Sequence, residues 1–390
     1  MNSVMKIFNT LSGKKEELST LIPNKLSIYV CGITPYDTTH MGHAFTYISF
    51  DLLIRFLKYK GYKINYTQNV TDINDRDSDI LKRAKEENKT WQDLTTFWTS
   101  KFLKDMDYLN WIKPTNFLYA SKQINNMIPL IENLLEKNKA YRVNESIYLD
   151  IKRADNFGKL SKLNKKDMLE IAKDFEEDVE NPDKRQPLDI TLWKRKSEDQ
   201  AEHIPFFQSP YGLGRPGWHL ECSAMAISSL GKQIDIHGGG KDLIYPHHES
   251  EIAQSEGATG KIPFSKYWLH TGQVGYQGNK MSKSLGNLVM ISSISDKYSA
   301  NSIRHMLLSN HYRRDWEYTE ELIKNSDLKM KQIEEKIKKN SKGKDITGQL
   351  EDLITDDLNM PKALGLISKN LNSLDSISLK FFLEALGFVF

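Results

Sequence analysis

The chain has 390 residues, 39% hydrophobic and 27% charged, long enough for a large core and two or three domains. With 54 Lys and Arg against 51 Asp and Glu, its net charge of +3 does not by itself mark a nucleic-acid binder. No apolar stretch reaches the roughly 18 residues that span a bilayer. The N-terminal MNSVMKIFNTLSGKK lacks a long apolar region ahead of a small-residue cleavage site. A cytoplasmic protein that meets no membrane is expected. Only Cys31 and Cys222 are present. A disulfide between them is one reading, and two reduced thiols, in the core or as ligands, are the other.

In chain order, KLSIYVCGITPYD alternates apolar residues and stops at Gly32 and Pro35, which predicts a strand. AFTYISFDLLIRFLKYKGY repeats apolar residues at helical spacing and ends at Gly61. KINYTQNVTDIND is a second strand, so the three segments form a parallel βαβ unit. Residues 80–175 read as mostly helical, with one short strand at SIYLDI. Alternation returns at QIDIHGGGKDLIYP and YWLHTGQVGYQGNKMSKSLGN, each a strand followed by a glycine-rich loop. From about 316 the chain is helical, and residues 324–344 hold eight Lys against three acids. Such a run is either a solvated helix face or a phosphate-contacting one.

The expected fold class is α/β, a Rossmann-like parallel sheet split by a helical insertion and followed by a short helical region. The expected divisions are 1–115, first half of the catalytic domain; 116–200, insertion; and 201–285, second half. Residues 286–320 would be a linking helical segment and 321–390 a shortened helical bundle, with no anticodon-binding domain.

Three stretches carry chemistry. In PYDTTHMGHAFTY, His40 and His43 flank Gly42 where the first strand hands over to its helix, the place where open α/β sheets bind ligands. KMSKS puts Lys280 and Lys283 in a small-residue loop able to close over a polyphosphate and stabilise a leaving pyrophosphate. In PHHESE, His247 and Glu251 are four apart, on one face if a helix begins after Pro246. With Cys31 and Cys222 they make a Cys₂HisGlu set whose ligand types suit tetrahedral zinc. His248 is the weaker ligand candidate, since it points about 100° away on a helix.

HMGH resembles the HIGH signature of class I aminoacyl-tRNA synthetases, and KMSKS is their second signature. The Cys31, Cys222, His247 and Glu251 set, with NVTDIND, GRPGWHLECSAM and HGGGKDL, resembles the cysteinyl-tRNA synthetase family. The resemblance implies a ligase that forms cysteinyl-adenylate from ATP, with Mg²⁺, and uses Zn²⁺ to bind the substrate thiolate. In that reading His40, His43, Lys280 and Lys283 are catalytic. Gly32, Ile33, Thr34, Gly42, Thr46, Asn69, Val70, Thr71, Trp218, Gly240, Lys241, Asp242 and Val274 hold ATP or the adenylate, with core packing the alternative for Trp218. The expected partners are L-cysteine, ATP and an acceptor, and the expected state is a monomer.

For the acceptor, CGITPYD, HTGQVG and NHYRRDWEYT resemble the short cysteine ligase of mycothiol synthesis, which favours a small-molecule amine. Glu251, ECSAM and SEIAQSEGATG resemble the synthetases instead, and EDVENP, residues 177–182, departs from the ligase pattern; these point to tRNA(Cys). A catalytically silent nucleotide-binding paralogue is a third reading, disfavoured by the intact motifs.

Overall fold

A computed structural model describes residues 4–37, 39–155, 157–198, 203–281 and 285–390, with the backbone only of Asp79 and Lys280. Lys25–Ile33 and Lys63–Val70 pair in parallel, with the helix Met41–Tyr59 between them in sequence, so the expected βαβ unit forms. The full sheet has five parallel strands in the order Ser265–Thr271, Ile234–Gly240, Lys25–Ile33, Lys63–Val70, Asn116–Tyr119. The chain runs from Lys25–Ile33 toward one edge, then resumes at Ile234–Gly240 and runs toward the other. The crevice beyond the ends of those two strands is therefore a topological switch point, where such sheets take ligands.

Asn116–Tyr119 belongs to this sheet, so its first half reaches Tyr119 rather than stopping at 115. The strand is four residues long and half-buried throughout, which leaves no alternation to read. The insertion and the chain just after it carry more strand than expected. Ala140–Val143, Ser146–Leu149, Ile190–Arg195 and Gly214–Pro216 form an antiparallel sheet beside the helices Ile124–Glu136 and Lys165–Asp174.

The first strand is buried on both faces and divides two cores. Ile28 and Val30 pack with Phe45, Ile48 and Phe56 of the helix Met41–Tyr59. Tyr29 and Cys31, one residue out of phase, join Leu220, Met225, Ile252 and Trp268 on the opposite face. This period of two sends the Cys31 thiol toward the helices Trp218–Leu230 and Glu249–Thr259. Between Val30 and Ile33 the register against Lys63–Val70 slips at a bulge.

Beyond the sheet, Val274–Tyr276 pairs with Asn279–Lys280 and Trp316–Glu317. The helices Ala300–Leu308, Glu320–Lys338, Thr347–Thr355, Met360–Asn370 and Ser376–Ala385 follow, joined to the first core through Ile303, Ile333, Leu350, Ile367 and Phe382. Among the described residues, no helix is long and apolar enough to cross a membrane.

Candidate active site and metal centre

A cleft of about 300 Å³ opens at the switch point. One wall is the amino end of the 19-residue helix Met41–Tyr59. His40 is its N-cap, and its ring Nδ1 accepts the backbone N–H groups of Gly42 (3.1 Å) and His43 (3.3 Å). An imidazole nitrogen that accepts carries no proton, so neutral His40 is protonated on Nε2. The His40 and His43 rings stack with centroids 3.8 Å apart. A Cβ at position 42 would lie 3.0 Å from the His40 ring, so any larger residue there would press on that ring. Both imidazoles border the cleft beside the positive end of the helix dipole, a combination suited to phosphate.

The floor is built from the strand Lys25–Ile33 and two elements packed on the other face of the sheet. Cys31 comes from the first strand, Cys222 from Trp218–Leu230, and His247 and Glu251 from the start of the helix Glu249–Thr259 and the turn before it. Their donor atoms all lie within 4.8 Å of one another, and all four residues are buried. Glu251 Oε1 is 3.2 Å from His247 Nε2 and 3.5 Å from the Cys31 thiol. Burial pushes the Cys31 thiol up, and neighbouring Cys222 adds to it. Burial likewise pushes the Glu251 carboxyl well above the usual range. Glu251 Oε2 has no hydrogen-bond partner among the described residues. Burial thus disfavours the charged forms of the Cys31 thiol and the Glu251 carboxyl unless a cation stands beside them. A divalent ion reverses that balance, and two sulfurs, a nitrogen and an oxygen are a donor set that fits zinc.

Cys31 and Glu251 also belong to a second set, completed by His237 and His248. His248 Nε2 is 3.3 Å and His237 Nε2 3.6 Å from the Cys31 sulfur, and His237 is 3.3 Å from Glu251 Oε1. The sequence reading ranked His248 as a weaker ligand and passed over His237. The clue to His237 lies in parallel register, since it stands beside Tyr29 on the strand next to Cys31. The two sets share Cys31 and Glu251, so a single ion could use one set or the other. Cys222 and His247 border the cleft whereas His237 and His248 do not, so the Cys₂HisGlu position is the one that opens onto it. Behind it, burial holds His237 and His270 down at about 3, as neutral imidazoles, and His248 Nδ1 sits 2.7 Å from His270 Nε2.

Gly32, Thr34, Thr46, Asn69, Thr71 and Trp218 border the cleft, as do Gly240, Asp242 and Val274. Asn69 ties two strands together at the bulge, its Oδ1 accepting the Gly32 N–H at 2.8 Å and its Nδ2 donating to Thr71 Oγ1 at 3.0 Å. A Cβ on residue 32 would fall 1.6 Å from the Asn69 carbonyl oxygen, so only glycine fits there. Trp218 is not simple core packing: it stacks on His247 with ring centroids 4.5 Å apart.

Three residues stand elsewhere. Ile33 and Val70 are fully buried in the core on the Met41–Tyr59 side, because the bulge turns Ile33 away from the cleft. Lys241 pairs with Asp315 rather than bordering the cleft. Lys280 is described only by its backbone, in the strand Asn279–Lys280, and Lys283 lies outside the described residues. Met281, between them, does border the cleft. Tyr36, Tyr47 and Gln273 also line it, unnoticed in the sequence although each flanks a motif.

The sheet, its switch point and the helix-capping His40 with nearby His43 define a class I aminoacyl-tRNA synthetase fold. The chain superimposes with a TM-score of 0.66 on a Mycobacterium tuberculosis methionyl-tRNA synthetase in complex with methionyl-adenylate, over 90% of this chain and 82% of that one at 15% identity. A putative arginyl-tRNA synthetase from Campylobacter jejuni matches at 0.60 and 14% identity, over 93% of both chains. Within that class, the family model for the tRNA synthetases class I (C) catalytic domain matches residues 17–328. A Cysteine--tRNA ligase of Thermodesulfovibrio yellowstonii is 40% identical over 93% of this chain and 77% of its own length. Those of Geobacter metallireducens and Dehalococcoides mccartyi are 42% and 46% identical over 84% and 82% of this chain, and 65% and 67% of their own lengths. The chain belongs to the cysteinyl-tRNA synthetase family of ligases, and spans 65% to 77% of the length of these relatives.

Proposed function

We propose that the chain activates cysteine with ATP and esterifies it to the 3′ end of tRNA(Cys). One observation carries this reading: the Cys31, Cys222, His247 and Glu251 donor set lies on the floor of the same cleft whose wall carries His40, Gly42 and His43. In the first step a carboxylate oxygen of cysteine forms a bond to the α-phosphorus of ATP, and the bond to pyrophosphate breaks. In the second a ribose hydroxyl attacks the carbonyl carbon, AMP leaves, and the hydroxyl proton passes to solvent or phosphate. No side-chain nucleophile is needed, so rate comes from positioning and charge stabilisation. His40 and His43 would donate to the phosphates, with Mg²⁺ as their counter-ion. Asn69, Thr46 and Gly240 would position the adenylate. Cys31, Cys222, His247 and Glu251 would hold zinc, which when bound supplies a soft acceptor for the substrate thiolate.

The small-molecule amine favoured by CGITPYD, HTGQVG and NHYRRDWEYT is set aside. Relatives 40–46% identical across most of this chain are Cysteine--tRNA ligases. Short motif likenesses weigh less than identity over hundreds of residues. Lysines of the 324–344 run would meet acceptor phosphates. Seven of the eight are exposed, and the eighth, Lys336, is buried and donates to the Asn372 carbonyl.

Radiolabelled cysteine offered with ATP is expected to enter tRNA as a base-labile ester. Label in an amine pool with none in tRNA would refute the acceptor. His43→Ala is expected to slow cysteine-dependent ATP–pyrophosphate exchange by about 10²–10³-fold, the usual loss for one transition-state donor. An unchanged rate would remove His43 from the mechanism.

A further inference from the structure

EDVENP begins at a residue that reaches the metal centre from the insertion. Glu177 follows the helix Lys165–Asp174, its N–H bonded to the Ala172 carbonyl at 2.9 Å. Nearby Val179 packs with Met168, Ala172 and Tyr245, and Tyr245 lies two positions before His247. This small apolar cluster fixes the insertion against the segment that supplies a ligand.

The Glu177 side chain is only 14% exposed. Its Oε1 accepts from His219 Nε2 at 3.1 Å and from Arg76 Nη2 at 2.8 Å. His219 Nδ1 in turn lies 2.9 Å from His247 Nδ1. Taken as a neutral ring, His219 fixes the proton positions through its two partners. A carboxylate can only accept here, so His219 donates through Nε2–H, and its Nδ1, in the neutral ring, accepts. The Nδ1 of His247 must then carry the proton, which leaves the lone pair of Nε2 facing Glu251 and the thiols. A metal-binding imidazole needs that arrangement, with its distal N–H engaged by an acceptor. A second path closes the circuit. The Arg76 guanidinium sits 4.0 Å over the Trp218 ring, and Trp218 stacks on His247.

We propose that Glu177 is a positioning residue for the metal centre: acting through His219, it sets the tautomer and ring orientation of His247. The insertion, not the parallel sheet alone, then tunes how tightly the ion is held. The inference rests on Cys31, Cys222, His247 and Glu251 being the metal ligands.

The test is the zinc dissociation constant of the full chain, measured by chelator competition, for the parent, Glu177→Ala and Glu177→Gln. Loss of such an outer partner typically weakens metal binding about 10–100-fold, and that is expected for Glu177→Ala. Glu177→Gln keeps an oxygen acceptor without the charge and is expected to fall between Ala and the parent. Should the alanine variant fail to fold, the glutamine variant alone must bind zinc more weakly than the parent. The visible bands of the cobalt-loaded variants are expected to shift, because they report ligand geometry at the ion. Parent-like affinity and spectra in both variants would overturn the inference while leaving the metal centre intact. A parent protein that binds no zinc would overturn both.

Discussion

Cysteine is expected to support ATP–pyrophosphate exchange with a kcat/KM about 10⁴–10⁵-fold above that of serine, without an editing step. A site built to bind one group rejects the analogue lacking it by that margin, because its own polar atoms are left unmatched. The two amino acids differ only in sulfur against oxygen, and zinc prefers a thiolate to a neutral hydroxyl. The cleft floor concentrates that preference in one place, with Cys222 and His247 facing the space a substrate enters. Cys222→Ser is therefore expected to lose most bound zinc and to raise the cysteine concentration needed for exchange. Equal exchange with serine and cysteine in the parent would refute thiol selection. Unchanged zinc content in the variant would show that Cys222 is not a ligand.

The second large effect is on stability. Arg304, in the helix Ala300–Leu308, is fully buried. Its Nη2 donates to Asp51 Oδ2 at 2.6 Å and to the Leu386 carbonyl at 2.7 Å, and its Nη1 to the Leu109 carbonyl at 2.9 Å. Asp51 lies midway along the helix whose start carries His40 and His43. One guanidinium thus joins the phosphate-facing helix, the turn after Trp91–Tyr108 and the C-terminal segment. Arg304→Ala removes a partner from a buried carboxylate, strands two carbonyls and leaves a cavity. Breaking a buried pair typically costs about 3–5 kcal/mol. Arg55 Nε, 3.0 Å from Asp51, remains to share the charge, so the loss is expected at the lower end of that range. Urea unfolding measures it as a fall in midpoint at constant slope. A shift within the scatter of a surface substitution would show that this junction does not hold the domains together.

Much of the site was legible because its chemistry is written in residue types. Thiols are rare in this chain, so both had to be weighed as ligands. His247 and Glu251 declared themselves through helical spacing. The βαβ unit followed from the shift between periods of two and 3.6 around Gly32 and Gly61. Ile33 and Val70 turn their side chains into the core, although they stand in the runs Cys31–Thr34 and Asn69–Thr71 whose other members border the cleft. Strand alternation turns every second side chain to the other layer, and the bulge at Gly32 shifts that phase by one. His237 was hidden for a different reason: its neighbour Cys31 is 206 positions away, and only strand order brings them together. Glu177 sits in irregular chain, where no periodicity announces a partner. Its role depends on two contacts in series, to His219 and then to His247.

Zinc-edge X-ray absorption of the purified protein, with and without cysteine, tests the central claim most directly. One ion per chain bound by two sulfurs at about 2.3 Å and two lighter atoms is expected, with a third sulfur once cysteine is added. A metal-free protein, a single-sulfur shell from the His237 and His248 set, or a sulfur count that ignores cysteine would contradict the account.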